Sequence, residues 1–167
     1  MIFCTIGTTD FIFPRLIQAL DASLIGQTEL LILQGNAGTY QLRYTHVRSF
    51  HELPFHKMIY YMSRARAIVS HAGAGTLLMA LQYTKTKPFV VPRLAKFHEH
   101  VDNHQLFFSE YMHSRGLVVG NFTDNLLVHN LRTYLRNPPQ QRGYRRGVHI
   151  EPLIHGLDSL IHNPKHD

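Results

Sequence analysis

Short apolar runs alternate with segments of helical periodicity along most of this chain, and that alternation constrains the fold more than any other feature. Ile2-Phe3-Cys4-Thr5-Ile6 is broken by Gly7-Thr8-Thr9-Asp10; after Pro14, Leu16, Ile17, Ala19, Leu20 and Leu24 recur at helical spacing. Strands are predicted at Glu29–Gln34 and Val47–Phe50, then a helix with Pro54 in its first turn running toward Ala65. Ala67–Ser70 is a continuous apolar strand, the pattern of a strand covered on both faces. Helix Ala74–Gln82, strand Pro88–Val91, helix Asp102–His113 with Asp102 as its N-cap, strand Leu117–Val119 and helix Asp124–Leu135 follow. The series predicts an α/β fold, a mainly parallel Rossmann-like sheet with helices on both faces. One domain over residues 1–167 is expected, with a basic loop lacking a packing pattern at 137–147 and a last helix at about 152–161. Ligands of such sheets bind beyond the carboxyl ends of the strands, so the loops after Ile6, Gln34, Phe50, Ser70 and Val91 should share one edge.

Charge narrows the partners. Seventeen Lys and Arg against eleven Asp and Glu give +6, and thirteen histidines can add to it below neutral pH. That balance suits nucleic acid, an anionic membrane face or a phosphorylated substrate. The chain has no recognition-helix or RNA-binding signature, and Arg142–Arg146 is a short basic run, so nucleic acid is not expected. The single cysteine, Cys4, cannot form an internal disulfide, which points to a reducing compartment. The first twenty residues do not read as a signal peptide, and no window of about 18 apolar residues exists to cross a bilayer.

Two clusters fall on the expected ligand edge. Ser70-His71-Ala72-Gly73-Ala74-Gly75-Thr76 joins a buried strand to a helix, whose unpaired first amides and positive dipole end attract anions. Glycine at 73 and 75 lets a phosphate reach the backbone, Thr76 offers a hydroxyl and His71 an imidazole; the alternative is a tight turn whose glycines serve packing. The loop is neither a dinucleotide fingerprint, since Leu78 takes the third glycine position, nor a P-loop, since no Gly-Lys-Ser/Thr follows. The second cluster, Glu99, His100, Asp102, Asn103, His104 and Gln105, offers groups that both donate to and accept from sugar hydroxyls. Two other readings stand beside it. One is a metal held by His98, His100 and His104, which no cysteine or HExxH motif supports; the other is a solvated loop without a ligand.

SHAGAGT, KPFVVPR and EHVDNHQ at these intervals, with the opening IFCTIGTTDFIFPRLIQAL, LILQGN and FHELPFHKMIYYMSRARAIVSHAGAGT, resemble the C-terminal, donor-binding half of the family 28 glycosyltransferases. They look most like its stand-alone subunits, of the Alg13 type and the bacterial exopolysaccharide (PssE/EpsE-like) type, over about residues 1–120. The resemblance implies half of a GT-B fold that binds a UDP-sugar. Gly73, Ala74, Gly75 and Thr76, with His71, would face the diphosphate; Gly7, Thr8 and Thr9 would line the cleft floor; Phe50 and His51 would approach the uracil. Glu99, Asp102, Asn103, His104 and Gln105 would meet the donor sugar. It further implies a membrane-anchored Alg14/PssD-like partner that supplies the general base, a lipid-pyrophosphate-linked acceptor at the cytoplasmic membrane face, and no metal or other cofactor. An orphaned donor half could self-associate through the face meant for its partner. Two positions depart from the family pattern: Met79 stands where an acidic residue usually meets the ribose, and Arg66 where Asp usually precedes the SHAG strand.

Overall fold

The computed structural model describes residues 1–122 and 126–141. Six parallel strands form one sheet in the order β3-β2-β1-β4-β5-β6: β1 (Ile2–Thr5), β2 (Leu31–Gln34), β3 (Val47–Phe50), β4 (Ala67–His71), β5 (Phe89–Val91) and β6 (Val119–Gly120). The helices are α1 (Pro14–Leu24), α2 (Phe55–Arg64), α3 (Ala74–Tyr83), α4 (His104–Ser114) and α5 (Leu127–Arg136). Every residue of β1, β2, β4 and β5 is buried, whereas the edge strands β3 and β6 are partly open. Burial on both faces is what makes these four strands read as continuous apolar runs.

Side chains alternate across the sheet as strand geometry requires. Ile2, Cys4, Leu31, Leu33, Ala67, Val69, Phe89 and Val91 meet Leu16, Ile17, Leu20 and Leu24 of α1 and Leu131 and Leu135 of α5. Phe3, Ile32 and Ile68 face the other way, onto Met62 of α2 and Ala80 of α3. Val90 packs with Leu77 of α3 and Phe108 and Met112 of α4. The Cys4 thiol lies inside the first of these layers, where burial pushes its pKa up and removes thiolate reactivity.

Several boundaries differ from expectation for local reasons. Pro54 sits one residue outside α2 as its N-cap, and its carbonyl accepts the amides of Lys57 and Met58. Helix α4 begins at His104 with Asn103 as N-cap, not at Asp102. The Asp102 carboxylate instead accepts the His104 amide (3.1 Å), and Asn103 spends its side chain on the Ala95 amide (3.0 Å). At its far end α4 closes with Gly116 at φ +68, the Gly116 amide on His113 O and the Leu117 amide on Met112 O. That left-handed closure carries Leu117 and Val118 back onto the helix layer, so the ladder of β6 starts only at Val119. The start of the expected basic loop does pack: the Lys87 amide bonds Pro139 O, the Gln141 amide bonds Lys85 O, and Thr86 bridges Gln140. Residues 142–147 and the expected helix at 152–161 lie outside the described residues. Among the described residues no helix is long and apolar enough to cross a membrane.

Candidate functional site

Strand order reverses direction between β1 and β4, and in such sheets ligands bind beyond the carboxyl ends of the strands at that point. Gly7 follows β1 at φ +81, and Gly73 follows β4 as the N-cap of α3. Between them lies His71, the last residue of β4, buried beneath the glycine-containing loop that leads into α3. A Cβ at Gly73 would stand 2.3 Å from His71 Nε2, and one at Gly7 2.9 Å, so both glycines are explained by this imidazole. Nδ1–H of His71 donates to Thr5 O at 3.4 Å, which leaves Nε2 as a lone-pair acceptor facing the two glycines. Gly75 is different. It is exposed in the first turn of α3 with nothing within 4 Å of where a Cβ would be, so no packing demand accounts for it. No side chain caps this helix, and the first-turn amides of Ala74, Gly75 and Thr76 have no partner within the helix.

A buried arginine, whose role no local pattern reveals, shapes the rest of that edge. Arg93 is 1% exposed. Its Nη2 donates to Ile6 O (2.7 Å), and Nη1 to Phe11 O (2.8 Å), Ile12 O (3.1 Å) and Glu99 O (3.2 Å). The guanidinium also lies over the Phe13 ring at 4.7 Å. One side chain thus holds both ends of the loop that carries Gly7, Thr8 and Thr9, of which the two threonines are exposed. Burial pulls the Arg93 pKa down and the Glu99 charge partly restores it.

Glu99, placed with the sugar-binding set, is itself 1% exposed, and its carboxylate is already held: Arg15 grips it through Nε (3.1 Å) and Nη2 (2.9 Å), and the Leu94 amide donates at 3.1 Å. Gln105 is also buried and accepts the Arg93 amide at 3.2 Å. Asp102, Asn103 and His104 are exposed on the approach to α4. On the other flank, the Gln34 side chain accepts Thr5 Oγ1 at 2.5 Å and donates to His51 O at 3.1 Å. That clasp sets His51 beside β1 with its ring exposed, while Phe50 is half-buried against Tyr61. The loops after β1, β2, β3, β4 and β5 therefore share one edge. Of the three histidines considered for a metal, His100 and His104 come together with Asp102, ligand atoms within 4.8 Å of one another, and His98 stays outside that group. A groove of about 1090 Å³ runs between α1 and α5 instead, and its cations are taken: Arg15 by Glu99, Arg43 by Asp21, Arg132 by Ala22 O.

Residues 1–150 match the glycosyltransferase family 28 C-terminal domain. The chain belongs to this family. No curated protein sequence matches it. Its fold is shared with solved GT-B glycosyltransferases. The crystal structure of CalG4, the calicheamicin glycosyltransferase, is similar with a TM-score of 0.62 at 16% identity, covering 86% of this chain and 34% of CalG4. SnogD from Streptomyces nogalater gives 0.51 at 20% identity, over 83% of this chain and 40% of SnogD. The family 28 domain thus spans about a third of the length of the first and less than half of the second. The solution structure of ALG13 gives 0.56 at 17% identity and covers 93% of both chains.

Both departures from the family pattern have a structural use in this family 28 domain. Arg66 binds Glu29 through Nε at 3.0 Å and donates Nη1 to Leu135 O at 2.6 Å, tying the start of β4 to β2 and to the end of α5. Met79 is half-buried in the layer with Phe3, Met62 and Ile68.

His71 gives the domain a pH signature. Burial, with the charges of Arg93 and His100 behind it, lowers the His71 pKa from 6.5 to about 4 against the bond to Thr5. The unfolded chain binds this proton below pH 6.5 and the folded one only below about 4, so stability falls as pH drops through that window. The full loss is about 3 kcal/mol at 1.36 kcal/mol per pKa unit. Denaturant titrations from pH 7.5 to 4 should record this decline, and His71→Asn should lack it; equal slopes would remove the assignment.

Proposed function

We propose that this family 28 domain is the donor-binding subunit of a two-component inverting glycosyltransferase that moves a sugar from a UDP-sugar to a lipid-pyrophosphate-linked acceptor, in exopolysaccharide, capsule or lipid-linked glycan synthesis. The observation that carries the reading is the uncapped first turn of α3 at the strand-order reversal, with Gly75 bare and no packing reason for it. The amides of Ala74, Gly75 and Thr76 and the Thr76 hydroxyl meet the diphosphate, and His71 supports Gly73 from below. Gly7, Thr8 and Thr9 form the floor, Phe50 and His51 flank the uracil, and Asp102, Asn103, His104 and Gln105 meet the sugar, with Glu99 fixing their loop.

An acceptor hydroxyl attacks the anomeric carbon from the face opposite UDP, the carbon–oxygen bond to UDP breaks, and the hydroxyl proton passes to a base on the partner. Charge then gathers on the leaving diphosphate, where the helix dipole and loop amides are already aimed. Transfer needs no divalent metal on this account. The partner, a membrane-anchored Alg14/PssD-like subunit, supplies the second lobe and recruits the domain to the cytoplasmic face of the membrane.

Met79 favours a second reading, a non-catalytic subunit that stabilises a companion enzyme, because a thioether cannot replace a carboxylate on the ribose. Calorimetry of the full chain with UDP decides between them. Donor binding predicts saturable heat with UDP that exceeds the heat with ADP, and a scaffold gives none.

A further inference from the structure

His100 and Asp102 in the loop before α4 and His104, the first residue of α4, stand two residues apart, and their ligand atoms converge to within 4.8 Å of one another. His100 is held in place from two sides: its ring stacks on Phe11 at 5.7 Å and meets His104 edge-on at 4.6 Å. Its Nδ1 is buried and has no hydrogen-bond partner, with Asp102 Oδ1 3.4 Å away. The same carboxylate oxygen touches His104 Nδ1 and accepts the His104 amide. A carboxylate that merely caps α4 would account for His104. It leaves the His100 nitrogen within ion-pair reach of Asp102 but without a hydrogen bond, and a buried polar atom with no hydrogen bond calls for a water or an ion.

Two imidazoles and one carboxylate suit a borderline divalent ion, zinc first among those abundant in cells. Zinc bonds of about 2.0–2.1 Å in tetrahedral geometry place ligand atoms about 3.3 Å apart. The His100–Asp102 separation of 3.4 Å already meets that spacing, and the exposed His104 side chain is free of the core and can rotate to complete it. Three protein ligands leave the fourth position open.

We propose that His100, Asp102 and His104 form a zinc site, and that zinc there competes with the donor sugar, since Asp102 and His104 belong to both. The competition rests on the function proposed above; the metal site does not. The test uses the full chain without a polyhistidine tag. Cobalt(II) should give the visible absorption of a tetrahedral site at one equivalent, and zinc should displace it. Asp102→Ala and His104→Ala should each weaken cobalt binding by about a hundredfold, because even the outer partners of metal sites cost about 10–100-fold. His98→Ala should leave it unchanged. An absent spectrum, or one that survives both ligand variants, overturns the site. Zinc should weaken UDP-sugar binding relative to the same protein in chelator and leave UDP binding nearly unchanged. The competition is overturned if zinc has no effect on the sugar nucleotide or if none binds, while the cobalt result stands independently.

Discussion

Gly75→Val should abolish most UDP binding without changing the stability of the fold. The Cβ of a residue in the first turn leans toward the helix N-terminus, and at Gly75 it would enter space with no neighbour within 4 Å. Replacing glycine in an exposed helical turn with valine changes helix propensity by only a few tenths of a kcal/mol in the favourable direction, so the unfolding midpoint should hold. An anion approaching the amides meets two new methyl groups instead. Losing charge-assisted bonds at about 1.5–3 kcal/mol each corresponds to roughly a hundredfold or more in affinity. Gly73→Ala provides the contrast. Its Cβ would stand 2.3 Å from His71 Nε2, so the buried imidazole or the loop above it must move and stability should fall with binding. Calorimetry and denaturant unfolding on both variants separate the effects. Full UDP affinity in Gly75→Val would dismiss the phosphate assignment and leave α3 an ordinary helix.

The sequence signals that proved legible are those carried by neighbouring residues. Pro14 and the apolar spacing of Leu16, Ile17, Leu20 and Leu24 place α1 where it is observed, and the run at 67–70 gives β4 within one residue. The start of α3 at Ala74 was likewise readable, because the glycines that precede and open it are local punctuation. Illegible features depend on residues far apart. Glu99 looked like a sugar ligand because a carboxylate in a polar loop is normally solvated; its burial follows from Arg15, 84 positions away. Gln34 ended a predicted strand as an unremarkable polar residue, and its bonds to Thr5 and His51 reveal it as the clasp between two loops. Asp102 was a reasonable N-cap by composition, but the competing use of Asn103 by Ala95 shifted the helix. Polar burial has no period, so it must be read from the assembled sheet edge.

Arg93 is the strongest case, and its replacement should be the most destabilising single change at the site. In Arg93→Met the apolar stem still covers Phe13, but the carbonyls of Ile6, Phe11, Ile12 and Glu99 lose their donor. Two terms oppose each other. Removing a buried charge relieves desolvation, and Nε of Arg93, which has no partner, is no longer a cost. Against that, the carbonyls of Ile6 and Glu99 lose their donor in a dry site and those of Phe11 and Ile12 at a part-buried edge, at about 1 kcal/mol each, and Glu99 loses a neighbouring cation that offsets its charge. The losses outnumber the relief, and the expected destabilisation is about 3–5 kcal/mol, or roughly 10 °C in Tm for a domain of this size. Hydrogen exchange should localise the damage to residues 6–12, with β2 and α5 protected as before. Arg93→Lys keeps the charge but not the fork that spans both ends of the loop, so it should recover only part of the stability. If Arg93→Met unfolds at the same denaturant concentration as the parent chain, burial of the guanidinium costs as much as its bonds return, and the loop bearing Gly7, Thr8 and Thr9 must owe its shape to His71 and to Gly35, where a Cβ would stand 2.6 Å from Gly7 O.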